Sequence, residues 1–391
     1  MNSRLYFETS WGSLFKQGEE LCGDKVEIIK SGQDTIMVLA DGLGSGVKAN
    51  ILASLTSKIV ATMLAAGADI QDVIETMAST LPVCHERKVA YSTFTFLRLN
   101  PNGQAHIVEF DNPNLVILRN GNCLDLPRVE RTVGEKQIRE TDILLRPEDY
   151  CVFFSDGVIH AGVGKLLNLG WQQQNVEEFL EENIGRTETA KALQECLLSA
   201  CNSLYMGEPG DDTTVAVCHV RVPKTAFVMV GPPVQKGEDE TLVQELVSYD
   251  GPKIVCGGTT SQIVSRVSGR PLTACLTYLT PDVPPIGAIP GIDLVTEGVI
   301  TLGKAYDLLL RYENRTVARE DELLSKKDGA HLLAAMLALS CTGARFVVGR
   351  ALNPAHQNPD LPLNLGIKLK LVEDIAACLK RLGKEVTVEY H

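Results

Sequence analysis

The sequence predicts an α/β chain of the α+β kind in two parts. Residues 1–222 read as two antiparallel sheets with two helical layers, and residues 223–391 as a smaller α/β domain. Three observations carry this reading. A length of 391 residues suits two domains, each large enough to bury a core. The first part groups its strands and helices in blocks instead of alternating them strictly. Near Arg221–Lys224 a long apolar strand closes in RVPK and a new one, Ala226–Val230, begins and runs into Gly-Pro-Pro, which puts the boundary there.

Apolar or alternating runs predict strands at Val26–Ile29, Thr35–Ala40, Ser92–Leu99, His106–Phe110, Leu115–Leu118, Asp142–Leu145, Cys151–Phe154 and Thr213–Val220. Helical periodicity predicts one pair of helices at Val47–Ala66 and Ile70–Thr80 and a second at Val176–Asn183 and Thr189–Tyr205. The second part alternates strand, loop and helix through Lys253–Cys256, Leu272–Leu279, Tyr306–Leu310, Gly329–Ser340, Arg345–Val348 and Val372–Leu382 to a terminal strand, Glu385–Tyr390. The Pro/Gly-rich stretches Thr280–Gly291 and Asn353–Asn364 read as ordered loops or lids.

The formal net charge of −12 argues against a nucleic-acid backbone or an anionic membrane as partner. Acidic surface also accompanies carboxylates gathered around divalent cations. The 11 cysteines stand singly without C-x-x-C, so buried reduced thiols are expected and neither zinc nor a redox dithiol is signalled. The start, MNSRLYFETSWGSLF, lacks a charged segment followed by an apolar core, and the apolar run Leu332–Leu339 is too short to span a bilayer. A cytoplasmic protein is the expectation.

The sharpest motif is TIMVLADGLGSGVKANILA, an apolar strand ending in Asp41, a glycine turn and a helix. A dinucleotide loop needs G-x-G-x-x-G, whereas this one is G-x-G-x-G with Asp41 at its mouth, where it repels phosphate. A cation reading uses the same residues: the carboxylate enters a cleft, and Gly42 lets its carbonyl approach closely. An ordinary tight turn with a solvated aspartate would use them too. Two further strand ends carry acid: Ser155-Asp156-Gly157 follows one, and Asp211-Asp212 precedes another. Asp24 opens the strand before Asp41's, so a hairpin would aim it at the same cleft. Sparse carboxylates suit Mg²⁺ or Mn²⁺, and a cation pair can acidify a water for phosphate ester hydrolysis.

At this point the sequence resembles the metal-dependent protein serine/threonine phosphatases (PPM family), in the bacterial branch typified by the stage II sporulation E phosphatase. The resemblance rests on DGLGSG at 41–46, FFSDG at 153–157, GDDTT at 210–214, Gly23-Asp24 and YSTFTFLRL at 91–99, in that family's order. It spans about residues 1–222. It implies an α-β-β-α sandwich, two Mn²⁺ or Mg²⁺ ions, and hydrolysis of phosphoserine or phosphothreonine on a partner regulatory protein. By the same resemblance Asp41 would bridge the ions with Gly42 offering its carbonyl, Asp24 would complete one shell, and Asp156 and Asp211 would hold the other ion. Asp212 would support the site. The early phosphate-gripping arginine of eukaryotic relatives has no clear equivalent before Asp24, and Lys25 reads as a solvated strand residue. A homodimer is a further expectation.

His85 and His160 could protonate a leaving oxygen, but a surface role accounts for both. In the second part Gly257, Gly258, Thr259, Thr260 and Ser261 follow a strand and start a helix, so free N–H groups could hold an anion; a capped glycine turn explains them equally. No GxxxxGK[ST] occurs. A regulatory domain binding a small molecule or a protein is expected for residues 223–391, with residues 353–358 as a lid or an ordered loop. The competing classes are a noncatalytic binding scaffold and a nucleotide-binding enzyme that uses the GGTTS loop.

Overall fold

The structure, a computed structural model, describes residues 4–80, 92–133, 136–235, 237–275, 282–314, 320–351 and 363–391. His85 and the lid candidate 353–358 lie outside them. The chain divides into two compact units, Met1–Val222 and Pro223–His391.

In the first unit the elements run β1 (Tyr6–Leu14), β2 (Asp24–Ser31), β3 (Asp34–Gly42), α1 (Gly46–Ala65), α2 (Ile70–Thr80), β4 (Ser92–Leu99), β5 (Gln104–Phe110), β6 (Val116–Arg119) and β7 (Asn122–Cys123). They continue with β8 (Val129–Val133), β9 (Lys136–Leu144), β10 (Tyr150–Phe154), α3 (Asp156–Ile159), α4 (Gln173–Asn183), α5 (Ala190–Leu204) and β11 (Thr213–Arg221). Among the described residues, one sheet has the order β1-β11-β10-β6-β7 and the other β2-β3-β4-β5-β9-β8, and the pairings are antiparallel.

The continuous apolar runs of β3 and β10 exist because both faces of each strand are buried. Met37 and Leu39 of β3 meet Cys151 and Phe153 of β10 between the sheets. Ile36, Val38 and Ala40 face outward onto Leu52, Val60 and Leu64 of α1 and Val73 and Met77 of α2. Val152 and Phe154 face outward onto Val176 and Leu180 of α4 and Leu193 and Leu197 of α5. Helix, sheet, sheet and helix therefore stack in that order. Helix α1 is long and apolar enough to cross a membrane by length and composition, which the run at Leu332–Leu339 is not; its inward face packs on the sheet, and Val47, Ile51 and Leu55 are exposed. Strand β1 was not expected from the pattern, since Glu8, Ser10 and Gly12 interrupt its apolar residues; its full-length pairing with β11 supplies the order instead.

The second unit contains β12 (Thr225–Val230), α6 (Glu238–Ser248), β13 (Lys253–Cys256), α7 (Gly258–Ser268), β14 (Thr273–Cys275), β15 (Ile286–Ala288) and β16 (Leu294–Thr296). After these come α8 (Val299–Asn314), α9 (Glu320–Leu324), α10 (Gly329–Ala335), β17 (Gly343–Val348), α11 (Leu363–Arg381) and β18 (Glu385–Tyr390). Strands β16, β13, β12, β17 and β18 pair in parallel in that order, and β15 and β14 add an antiparallel edge. Two expectations change. The stretch 280–291, read as a loop, holds strand β15, which pairs with β14 and β16. The predicted helix Gly329–Ser340 is α-helical only to Ala335 and continues as a π-helix over Met336–Ser340.

Candidate metal centre

Antiparallel register sets Asp24, at the start of β2, directly across from Asp41 near the end of β3. Two like charges facing each other across a sheet repel, and here both are removed from water. Burial, then the charges of Asp24, Asp156 and Asp211, pushes the Asp41 carboxyl up to about 10. Burial raises Asp24 to about 7 against hydrogen bonds from Ser155 and Thr214, with the charges of Asp212 and Asp156 adding to the rise. Asp41 lies within hydrogen-bonding reach of both Asp24 and Asp156.

The other sheet supplies the remaining acids. Asp156 starts α3 directly after β10, and Asp211 and Asp212 lead into β11. Burial and the charge of Asp211 raise the Asp156 carboxyl, with His160 opposing. Ser155 ties the sheets together: its Oγ donates to Asp24 Oδ2 at 2.6 Å and accepts from Thr214 N at 2.9 Å. Two glycines allow the close approach. A Cβ on Gly157 would lie 2.1 Å from the carbonyl oxygen of Asp212, and one on Gly42 would lie 2.1 Å from that of Ala49 in α1.

Asp212 differs from its neighbour. It is buried, its Oδ1 accepts from Lys16 N at 3.0 Å and its Oδ2 from Gly23 N at 2.8 Å, so both oxygens hold the β1–β2 connection in place. Asp211 is more open and has Lys16 Nζ 3.5 Å from its Oδ1. His160, on the exposed side, has Nδ1 3.8 Å from Asp156 Oδ2, a carboxylate partner the sequence reading did not give it. That reading also missed Ser155, Lys16 and Glu19, which accepts from Ser45 Oγ at 2.9 Å beside the glycine turn. The serine preceding Asp156 and the lysine closing β1 were visible, but their partners lie more than a hundred residues away along the chain.

The donor set fits hard divalent cations. Burial, then neighbouring carboxylate charge, raises Asp24, Asp41 and Asp156, and Asp211 contributes its charge to the rises at Asp41 and Asp156. Among the described residues no group of three or more His, Cys, Asp or Glu side chains is arranged to hold a metal ion by itself; Mg²⁺ takes one or two carboxylates and keeps several waters.

In the second unit Gly257 precedes α7, and Gly258, Thr259, Thr260 and Ser261 form its first turn. The expected anion cradle meets an obstacle there: a Cβ on Gly258 would lie 3.2 Å from Glu297 Oε1, so a carboxylate already stands against this helix end. Ser261 Oγ is turned back onto Gly258 O at 2.8 Å.

Two antiparallel sheets between helical layers, with acids from both sheets meeting at one end, define the first unit as a PP2C-like phosphatase fold. Residues 31–221 match the family model described as stage II sporulation protein E (SpoIIE), which supports a PPM-type phosphatase of that branch. Solved structures with this fold include the PP2C phosphatase domain and a regulatory-domain fragment of SpoIIE from Bacillus subtilis, at 18% identity and TM-score 0.47, covering 56% of this chain and 65% of that one. The RsbU and RsbW domains of a Mycobacterium tuberculosis protein match at 16% identity and TM-score 0.45, covering 62% of this chain and 67% of that one. RsbX in complex with magnesium matches at 18% identity and TM-score 0.40, covering 55% and 95%. No curated protein sequence matches this chain.

Proposed function

We propose that the first unit hydrolyses phosphoserine or phosphothreonine on a partner regulatory protein, with two Mn²⁺ or Mg²⁺ ions held by Asp24, Asp41, Asp156 and Asp211. The observation that carries this reading is the gathering of these carboxylates at one end of the sandwich, where burial and neighbouring charge raise Asp24, Asp41 and Asp156. Bound divalent cations supply Lewis acidity and an acidified water at neutral pH. Asp41, in reach of both Asp24 and Asp156, is suited to bridge, and Gly42 offers its carbonyl beside it. Ser155 orients Asp24, and we assign Asp212 a positioning role because both its oxygens already serve backbone N–H groups. Lys16, beside Asp211, offers the substrate phosphate a positive charge at the rim. The carboxy-terminal unit is read as regulatory and the protein as cytoplasmic.

Turnover of a generic aryl phosphate by the full chain tests the proposal. Activity with Mn²⁺ that disappears in excess chelator and returns on readdition is the expected result. Unchanged turnover in chelator would exclude it.

A further inference from the structure

The parallel strands of the second unit occur in the spatial order third, second, first, fourth, fifth along the chain: β16, β13, β12, β17, β18. Connections leave β12 and β17 towards opposite faces. Phe227 and Met229 of β12 pack with Leu242 and Leu246 of α6 and Val264 of α7, while Ala226, Val228 and Val230 pack with α8, α10 and α11. Where connections diverge in this way, a crevice opens outside the carboxyl ends of the two strands, and open α/β sheets take their ligands there.

Lys368 of α11 occupies that place. Its Nζ donates to the carbonyl of Gly349, just after β17, at 2.5 Å. A Cβ on Gly231, just after β12, would lie 2.4 Å from the same nitrogen. The ammonium therefore sits between the two strand ends, and burial holds its pKa below the usual lysine value. The crevice floor is bare backbone: a Cβ on Gly349 would lie 2.0 Å from Pro232 O. Arg350, exposed, follows at once.

Further along the same edge, Glu297 follows β16 and is exposed, with its carboxylate against Gly258. Next to it the Thr260 hydroxyl is buried without a hydrogen-bond partner and lies 3.1 Å from where Gly257 would carry a Cβ. Strand β16 is two strand spacings from β12, so the strand ends leading to Glu297 and to Gly231, beside the ammonium, are about 10 Å apart. That span exceeds inorganic phosphate and suits a nucleotide. Phosphate is kept from α7 by Glu297 and from α6 by Glu238, Asp239 and Glu240 in its first turn, which leaves Lys368 and Arg350 to receive it.

We propose that this edge binds a nucleoside phosphate, its phosphates on Lys368 and Arg350 and its ribose hydroxyls on Glu297. Calorimetric titration of the full chain in chelator, which silences cation-assisted binding at the acidic cluster, tests this with ADP, GDP, CDP, UDP and inorganic phosphate as probes. Saturable binding of at least one nucleoside diphosphate, with none of phosphate at the same concentration, is expected. Lys368→Met should abolish that binding, and Glu297→Gln, at an exposed position that leaves the fold intact, should weaken it about tenfold. Absence of binding by all four diphosphates, equal binding of phosphate alone, or unchanged affinity in the Glu297→Gln protein would each overturn the proposal.

Discussion

Asp211 and Asp212 adjoin each other yet face different tasks, and substitution should separate them. Asp212 accepts two backbone N–H groups in a buried setting, so Asp212→Ala leaves both unpaired and should destabilise the first unit by about 1–3 kcal/mol per orphaned group. Asp211→Ala should leave stability nearly unchanged and remove turnover. Thermal unfolding and aryl phosphatase assays of the two variants check this contrast, and a fully active Asp211→Ala protein would remove that residue from the site. Asp41→Asn carries a less obvious expectation. In the metal-free fold Asp41, raised to about 10, keeps a proton that the unfolded chain releases near pH 4, and asparagine has no proton to retain. The metal-free variant should therefore gain stability over wild type as pH rises from about 4 towards 10, while its turnover falls about 100-fold or more. What the sequence made legible at this scale was the acid at each strand end. What it hid were the long-range partners, because nothing near Ser155 in the chain points to Asp24.

At the scale of elements, the short helix α3 is held to β11 through Gly157, whose place tolerates no side chain. Tyr205 reinforces the same contact from the end of α5, its hydroxyl donating to Gly157 O at 2.7 Å. Gly157→Ala should push α3 off β11, cost about 1–3 kcal/mol, and reduce turnover further than that loss explains, because Asp156 moves with the helix. Chemical denaturation measured beside activity at a temperature where the variant stays folded decides this; wild-type turnover in the folded variant would mean Asp156 tolerates displacement. Buried strands such as β3 and β10 were readable because continuous apolar runs fill both faces, and β11 was readable despite His219. Strand β1 and most of β9 were not, since Glu8 and Ser10, or Arg139 and Glu140, interrupt the apolar pattern. The glycine turn before α7 was also visible, but Glu297, which arrives from a different strand, was not, and it reverses the charge that the turn alone suggests.

The chain as a whole has separate cores in its two units, and both of its tryptophans, Trp11 and Trp171, lie in the first. Tryptophan fluorescence therefore reports unfolding of the phosphatase unit alone within the intact chain. Its metal-free stability should depend on pH in an unusual direction. Asp24 and Asp41 are raised to about 7 and about 10 in the folded state, so between the ordinary aspartate range near 4 and those values the folded state holds protons that the unfolded state has released. Stability then falls as pH rises: the contribution is fully present below about pH 4 and is lost progressively through pH 7 and beyond. Most surface carboxylates act in the opposite sense, being stabilised when ionised. Divalent cations bind the ionised acids and should reverse the slope, since binding to the folded state alone adds stability that grows as protons leave. In chelator the fluorescence-detected unfolding midpoint should drop between pH 5 and pH 8, and with millimolar Mn²⁺ it should hold level or rise. A midpoint that climbs across that interval in chelator would mean the four acids are already compensated by groups of the protein itself, and the reading of a cation site would fail with it.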